Sequence, residues 1–193
     1  LDIIGCRILV VTRMCTAGDG LAPSLPHIVL FSEITKINKK IMINIDGHQV
    51  GENSPTFIIA EACDNHLGNM KLAKQMIYLA KEAGADAIKF QHHIPDEEML
   101  PTVPKSDNFK EPLYDFLKKY SLSLDNHYSL AEYCKKINIT YLCTPFSWKA
   151  AREINPIVSA FKIGSGEMTD TPTLSLISEL GKPMIVSTGM STF

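Results

Sequence analysis

Apolar and polar positions follow two alternating periods from residue 57 onward. Short apolar runs of the kind that form buried strands lie at 57–62, 87–91, 140–146, 160–166 and 183–189. Segments with apolar residues at helical spacing lie between them, at 69–84, 112–122, 127–138, 148–154 and 171–181. Strands that alternate with helices predict a parallel sheet with right-handed crossovers. The pattern therefore predicts an α/β fold, either a doubly wound sheet or a (β/α)₈ TIM barrel.

The chain ahead of residue 57 does not share this pattern. The stretch 41–55 is typical of a small β-hairpin with Asp46-Gly47 at its turn. Residues 1–40 show no clear periodicity and contain scattered glycine and proline. We therefore expect 1–41 to be an extension of uncertain origin and 42–193 to form the barrel part, with Met42 as the start of the natural protein.

Composition and charge exclude several classes of protein. Hydrophobic residues make up 45% of the 193 positions and charged residues 21%, the balance of a soluble globular protein. The formal net charge is −2 and no basic stripe is present, which argues against nucleic acid as a partner. No run of 18 apolar residues occurs, so we expect no membrane span. The five cysteines include no Cys-x-x-Cys pair, which favours a reducing, cytoplasmic setting.

Polar residues interrupt strands that should be apolar. Lys89 and Gln91 lie two positions apart and so share one face of the strand 87–91. The other strands also carry polar residues at or near their carboxyl ends: Glu61, Thr144, Ser147, Lys162, Ser165, Glu167 and Ser187. Ligands of parallel α/β folds bind at this end of the sheet. Two lysines, several hydroxyls and the glycine-rich turn 164–167 therefore predict a pocket for a phosphorylated, strongly anionic small molecule.

These residues also have a simpler interpretation. A single lysine at a strand end commonly extends to solvent or pairs with a carboxylate, and Glu61 could pair with Lys89. Polar residues at the ends of all five strands are harder to explain in this way, so the set as a whole favours a ligand site.

Five segments that carry these residues resemble the sialic acid synthase family, the N-acetylneuraminate synthases and their legionaminic and pseudaminic acid relatives. The segments are FIIAEACDNHLGN, AGADAIKFQHH, LCTPFS, FKIGSGEMTD and KPMIVSTGM, and the likeness spans about residues 43–191. The resemblance implies a (β/α)₈ barrel that condenses phosphoenolpyruvate with an N-acylated aminosugar, N-acetylmannosamine or a related deoxy sugar. The implied product is a nine-carbon 2-keto sugar acid, formed with release of phosphate. A divalent metal, manganese or magnesium, is implied as a Lewis acid, and a homodimer is implied for the full-length protein.

The resemblance also implies a role for each matching residue. Those implied to bind phosphoenolpyruvate are Lys89, Thr144, Lys162, Ser165 and Ser187. Those implied to be catalytic are Glu61 as an acid/base carboxylate, Gln91 as a contact to sugar or metal-bound water, and His66 as a residue that orients Glu61 or touches substrate. Further implied substrate contacts are Asn65, Ser147 and Glu167.

Some reactive side chains have structural interpretations. A lone histidine such as His66 is often structural. His92 and His93 are adjacent, and adjacent strand residues face opposite sides, so they make a poor joint set of metal ligands. Cys63 and Cys143 are expected to be small buried fillers, since the implied reaction needs no covalent step.

One departure from the family pattern lies beside Glu61. The family usually has Ile-Gly after this glutamate, whereas this chain has Ala62-Cys63. Loss of the glycine changes the backbone freedom next to the carboxylate. The departure puts the identity of the sugar in doubt more than the reaction.

The resemblance covers less than a whole barrel. Eight strands take about 250 residues, whereas five strand–helix units precede residue 193. We therefore expect an N-terminal part of a synthase, without the metal ligands, inactive alone and poorly soluble because strand edges are open. Two alternatives stay open. One is a short protein that binds phosphoenolpyruvate or a partner without catalysis. The other is a different phosphoenolpyruvate-dependent synthase of keto sugar acids.

Overall fold

A parallel sheet with helices on its outer face forms about half of a barrel. The computed structural model describes residues 8–11, 42–51, 53–105 and 110–190, and for 8–11 it describes the strand alone. In spatial order the strands of this sheet are β1 (Ile8–Val11), β4 (Phe57–Glu61), β5 (Ala87–His92), β6 (Thr140–Pro145), β7 (Phe161–Ile163) and β8 (Met184–Val186). The separate antiparallel hairpin consists of β2 (Met42–Ile45) and β3 (His48–Gly51). The helices are α1 (Met70–Glu82), α2 (Pro95–Glu98), α3 (Leu113–Tyr120), α4 (Leu124–Ile137), α5 (Trp148–Ile154) and α6 (Thr171–Ser178).

The hairpin covers the amino-terminal end of the half-barrel interior. Its turn residues Asp46 and Gly47 both have positive φ, 52° and 87°, as a type I′ turn requires. Its Ile45 and Val50 are 1% exposed. They pack with an apolar layer of strand residues, namely Phe57, Ile59, Ala87, Leu142, Ala160 and Ile185. The predicted hairpin is therefore confirmed. Its two apolar residues and this layer of strand residues together form the apolar floor of the interior.

The outer face of the sheet packs against the helices. Phe90, Tyr141 and Phe161 lie on this face and belong to a second apolar cluster with residues of α1, α4, α5 and α6. The two clusters use alternate residues of the same strands, because successive side chains of a strand point to opposite faces. The sequence pattern predicted these strands as apolar runs for this reason.

The ends of the helices show where the sequence pattern was too coarse. α1 begins after Asn69, whose side chain accepts hydrogen bonds from the Lys71 and Leu72 amides, and it is closed by Gly84 at φ 82°. The Oγ atom of Ser123 caps α4, so this helix begins at 124 and not at 127 as predicted. The short helix α2 was not predicted. β7 and β8 are shorter than their predicted runs, since the chain turns after residues 163 and 186.

One strand lies outside the region that the sequence pattern covered. β1 pairs in parallel with β4, with Ile8 opposite Phe57 and Val11 opposite Ala60. No periodicity predicted it, and the other residues of 1–41 lie outside the described residues. In the described part of the chain, no helix is both long enough and apolar enough to cross a membrane.

Candidate active site

A polar layer lies directly above the apolar floor of the interior. Each of its members follows an apolar floor residue by two positions and so points to the same side of the sheet. They are Glu61, Lys89, Thr144, Lys162 and Ser187, which follow Ile59, Ala87, Leu142, Ala160 and Ile185. Glu61, Lys89, Thr144 and Lys162 are buried. The predicted convergence of polar residues from five strands on one end of the sheet is therefore present.

Glu61, Lys89 and Thr144 form one connected network. The Lys89 Nζ atom lies 2.8 Å from Glu61 Oε2 and donates a hydrogen bond of 2.9 Å to Thr144 Oγ1. Glu61 and Lys89 are opposite each other in the register of β4 and β5. The ion pair that the simpler interpretation of the sequence foresaw is thus formed, and it lies at the carboxyl-terminal end of the strands, where ligands of such folds bind.

Lys162 is held differently from Lys89. Its Nζ atom donates to the main-chain oxygen of Ile163 at 2.7 Å, and no carboxylate among the described residues lies within ion-pair distance of it. Burial and, after it, the charge of Lys89 lower the pKa of Lys162 to about 8, against the opposing effect of Glu61 and Glu167. A buried ammonium group of this kind gains most from an anion that binds beside it.

The turn after β7 holds a second carboxylate close to the layer. An added Cβ at Gly164 would lie 2.1 Å from Glu167 Oε2, so only glycine leaves room for the observed position of the Glu167 side chain. That oxygen is buried and has no hydrogen-bond partner in the described part of the chain. Burial raises the pKa of Glu167, which favours its protonated form. Ser165 and Ser187 flank this turn, both half-buried.

A cavity of about 770 Å³ opens beside the polar layer. Its polar lining residues are Cys63, Asp64, Asn65, Gln91, His93, Glu98 and Glu167, and its apolar ones are Leu67, Leu72, Met99, Leu113, Phe116, Leu117 and Phe146. Two residues join it to the layer: Gln91 follows Lys89 on the same strand face, and Cys63 Sγ donates to Glu61 Oε2 over 3.6 Å. The cavity therefore has the position that a second molecule beside an anion in the polar layer would need.

The loop that follows β4 forms one wall of this cavity. Cys63 has φ 46°, a left-handed conformation in which glycine is favoured. The departure from the family pattern beside Glu61 thus falls on a position whose backbone suits the family's glycine. Burial raises the pKa of the Cys63 thiol to about 11, so it contacts Glu61 as a neutral donor. The side-chain amide of Asn65 donates a hydrogen bond of 3.0 Å to the main-chain oxygen of Ala62 within the same loop.

His66 lies within the protein and away from the polar layer. It is fully buried, its Nδ1 accepts from the Gly68 amide at 3.0 Å, and its ring packs on Phe90 of the outer cluster. Burial lowers its pKa, so the ring is neutral. Among the described residues no hydrogen bond joins it to Glu61, and its catalytic role stays a prediction that these contacts do not favour.

His92 and His93 point to different sides of the sheet, as expected for neighbours. His92 Nε2 lies 2.8 Å from Glu153 Oε2 of α5, and its ring contacts His127 of α4 on the outer face. His93 faces the cavity between Asp64 and Glu98. Within 42–51, 53–105 and 110–190, no group of three or more histidine, cysteine, aspartate or glutamate side chains is arranged to hold a metal ion.

Two predicted residues have structural partners. The hydroxyl of Ser147 accepts from the Ala150 amide at 3.2 Å and caps α5, so its contact with substrate stays a prediction. Cys143 is completely buried on the outer face, and burial raises its pKa to about 12, which fits the role of a filler.

Asp64 and Glu98 are residues that the sequence analysis missed. The acidic run after Pro95 was the one visible signal for Glu98.

A further cavity of about 490 Å³ lies at the opposite end of the sheet, beside the hairpin and the start of β6. Its lining includes His48, Lys135 and Thr140. Ligands of parallel α/β folds bind at the other end of the strands, so this cavity is not the candidate site.

Comparison with known proteins shows which family this chain resembles. The model of the NeuB family matches residues 76–193. An N,N'-diacetyllegionaminic acid synthase of Legionella pneumophila is 38% identical over 147 residues, which are 72% of this chain and 41% of that protein. The human N-acetylneuraminate-9-phosphate synthase is 32% identical over 152 residues, 76% of this chain and 42% of that protein.

A solved structure shows the same fold. The N-acetylneuraminic acid (sialic acid) synthetase of Leptospira borgpetersenii serovar Hardjo-bovis, in complex with citrate, superposes with a TM-score of 0.68 at 29% identity. The match covers 79% of this chain and 51% of that chain. This chain spans about two fifths of the length of the curated relatives it matches. From the matched family model and from these relatives, the chain belongs to the NeuB family.

Proposed function

We propose that the protein of which this chain forms part of the barrel condenses phosphoenolpyruvate with an N-acylated aminosugar. C3 of phosphoenolpyruvate bonds to the aldehyde carbon of the sugar, water adds at C2, and phosphate leaves as the C–O bond breaks. The product is a 2-keto sugar acid. The names of the relatives, which are synthases of sugar acids, support the reaction class.

The observation that carries the proposal is the pair of buried lysines in the polar layer. Phosphoenolpyruvate carries close to three negative charges, and it needs charge-assisted donors inside a site from which water is excluded. Lys89 is already compensated by Glu61, whereas Lys162 has a main-chain carbonyl as its acceptor. An anion at this point would compensate Lys162, with Thr144, Ser165 and Ser187 as additional donors.

The second substrate is assigned to the adjacent cavity. Gln91 would orient the sugar there, and Glu167 of the lining would hydrogen-bond to it. Glu61, which contacts the lining residue Cys63, would act as the acid/base. Glu167 keeps its proton more readily than a free carboxyl, because burial raises its pKa. We therefore assign it as a donor to a sugar oxygen.

The lining of the cavity favours an uncharged sugar. Among its described lining residues there are no lysines or arginines, while Asp64, Glu98 and Glu167 are acidic. Half of the lining is apolar, which suits acyl and deoxy groups. A sugar phosphate would meet these carboxylates, and the cationic side chain of the lining, His93, is already paired with Asp64 and Glu98. An unphosphorylated N-acylated aminosugar, the kind of acceptor that leads to a legionaminic acid, thus fits better than a sugar phosphate.

A divalent metal is part of this proposal but not of the described site. Among the described residues no three ligands are arranged to hold an ion, so these residues do not by themselves fit the metal. Assembly as a homodimer and a cytoplasmic location likewise belong to the proposal.

The test begins with the gene. Its sequence is determined beyond both ends of this chain, the longest reading frame is expressed, and phosphate release is measured with phosphoenolpyruvate, manganese and neutral N-acylated aminosugars. We expect release that depends on both substrates and is lost in Lys162→Met. Absence of release from a folded protein with every sugar would refute catalysis.

An alternative function rests on the same lysines. If the frame ends at residue 193, binding of phosphoenolpyruvate without catalysis is the function to measure, by calorimetry on the wild type and on Lys162→Met. A synthase for a different keto sugar acid is distinguished by its acceptor, because it would release phosphate with a sugar that has no N-acyl group.

A further inference from the structure

His93 lies between two carboxylates that belong to different segments of the chain. Its Nδ1 atom donates to Glu98 Oε2 of α2 at 2.9 Å, and its Nε2 atom lies 3.2 Å from Asp64 Oδ2 in the loop after β4. Its ring stacks on Phe146 after β6, with centroids 4.1 Å apart. One imidazole therefore connects the segments that follow three neighbouring strands.

The loop that carries Asp64 needs such support. Residues 63–68 contain three positions with positive φ, Cys63 at 46°, Leu67 at 47° and Gly68 at 72°. Left-handed backbone is unfavourable for residues other than glycine, so contacts from outside must hold Cys63 and Leu67 in place. The ion pair with His93 ties this loop to the segment that follows β5, across the cavity.

The charge of His93 follows from its neighbours. Burial alone lowers its pKa, but the carboxylates of Asp64 and Glu98 outweigh burial and raise the pKa to about 9. The other titratable groups close enough to influence it or be influenced by it are His66, His92, His127 and Glu167. The first three are histidines whose own pKa values are lowered.

We propose that His93 is a positioning residue: as a cation clasped between Asp64 and Glu98, it fixes the Cys63–Gly68 loop and thereby sets how tightly the cavity closes on the second substrate. The effect on catalysis rests on the function proposed above, whereas the effect on the loop does not. His93 acts through Asp64 and the loop, and it touches none of the reacting groups.

The loop is tested without activity by the reactivity of Cys63. The purified protein is treated with iodoacetamide at pH 7.5, and alkylation of the peptide that contains Cys63 is followed by mass spectrometry. We expect the rate to rise about tenfold in His93→Gln, because local opening of the loop exposes the thiol. His48→Gln is the control, since His48 is a more exposed histidine 3.9 Å from Asp86 at the opposite end of the sheet. An equal rate in wild type and His93→Gln overturns the proposal.

Catalysis is tested by the pH dependence of acceptor binding. At saturating phosphoenolpyruvate, the KM for the sugar should rise in the wild type above about pH 9, where His93 loses its proton. Asp64→Asn retains the side-chain shape but removes one charge, so the rise should begin at lower pH. The KM for phosphoenolpyruvate should be the same in Asp64→Asn as in the wild type. A rise at unchanged pH in Asp64→Asn overturns the proposal for catalysis.

The two readouts separate the two proposals. If no phosphate is released by any variant, the proposed reaction fails, and the alkylation rates still decide whether His93 holds the loop. If His93→Gln does not fold, Asp64→Asn and Glu98→Gln replace it in the alkylation measurement, with an expected increase of a few fold each. If neither variant is alkylated faster than the wild type, the proposal that His93 holds the loop is overturned.

Discussion

The ammonium group of Lys89 lies 2.8 Å from the carboxylate of Glu61, across two strands whose register places these residues opposite each other. Both residues are buried: 4% of the surface of Lys89 and 6% of the surface of Glu61 is exposed. The pair fills the interior directly above the apolar floor, where charges are tolerated when they are paired and hydrogen-bonded. Its energetics are therefore the first property to measure.

We expect the two members of this pair to depend on each other. Removal of one partner leaves a buried, uncompensated charge, so Glu61→Gln or Lys89→Met should each lower the free energy of unfolding by about 3–5 kcal/mol. The double variant should lower the free energy of unfolding by clearly less than the sum of the two single effects. Urea unfolding measures all three. The exposed pair Lys149–Glu97, 3.6 Å apart, is the control and should couple by less than about 1 kcal/mol. Additive effects at Glu61 and Lys89 would contradict a buried pair.

Binding of phosphoenolpyruvate should weaken in alkaline solution because of Lys162. The pKa of this lysine is lowered to about 8 in the folded protein without ligand. Below that pH the ammonium form is ready for the anion, whereas above it binding must be accompanied by uptake of a proton. The dissociation constant should thus rise through pH 8–9, and calorimetry should show proton uptake there.

The same lowered pKa fixes the sign of the effect on stability. Between pH 8 and the ordinary range of lysine, the unfolded chain binds more protons than the folded one, so the free energy of unfolding rises with pH in that window. Lys162→Met should remove both effects. Lys136→Met, on the exposed surface of α4, should keep them. A flat binding profile in the wild type would show that Lys162 does not contact the anion.

Gly164 should be required for the position of Glu167 more than for stability. A methyl group at Gly164 would overlap the end of the Glu167 side chain, which can move at low cost. In Gly164→Ala we therefore expect a small change in the urea midpoint but a loss of activity of up to about 100-fold, the effect of displacing a positioned group by about 1 Å.

Gly166→Ala is the matched control for this change. Gly166 has φ −68°, and no atom lies within 4 Å of an added Cβ there. Its activity should stay close to that of the wild type. If both variants were equally active, the close approach of Gly164 and Glu167 would have no functional meaning.

Cys63 should prefer glycine to alanine as a replacement. Its φ of 46° is unfavourable for any residue with a Cβ, by roughly 1–2 kcal/mol in the left-handed region. Cys63→Gly should therefore be about 1 kcal/mol more stable than Cys63→Ala in urea unfolding. Cys134 lies inside α4, where the order should reverse because glycine disfavours helices. If Cys63→Gly were no more stable than Cys63→Ala, backbone strain at Cys63 would be excluded.

The sequence by itself determined which residues share a face and at which end of the sheet they lie. Side chains alternate along a strand, so a lysine two positions after an alanine, as in Ala87 and Lys89, must point to the same side. The same rule placed Glu61, Thr144 and Lys162 in one layer. Local conformational preferences of the residues also predict the strand–helix order, the Asp46-Gly47 turn and the glycines that follow α1 and α6.

Only the tertiary structure decided which members of the layer meet. The register between β4 and β5 pairs Glu61 with Lys89, while Lys162 is left with a main-chain partner. The contact of His93 with Asp64 joins residues 29 positions apart (93 − 64) through loops without periodicity. The strand β1 likewise formed by pairing with β4 and not by any pattern of its own. The physical reason is that periodicity reports the face of a single element, whereas pairing, burial and pKa depend on neighbours that only folding brings together.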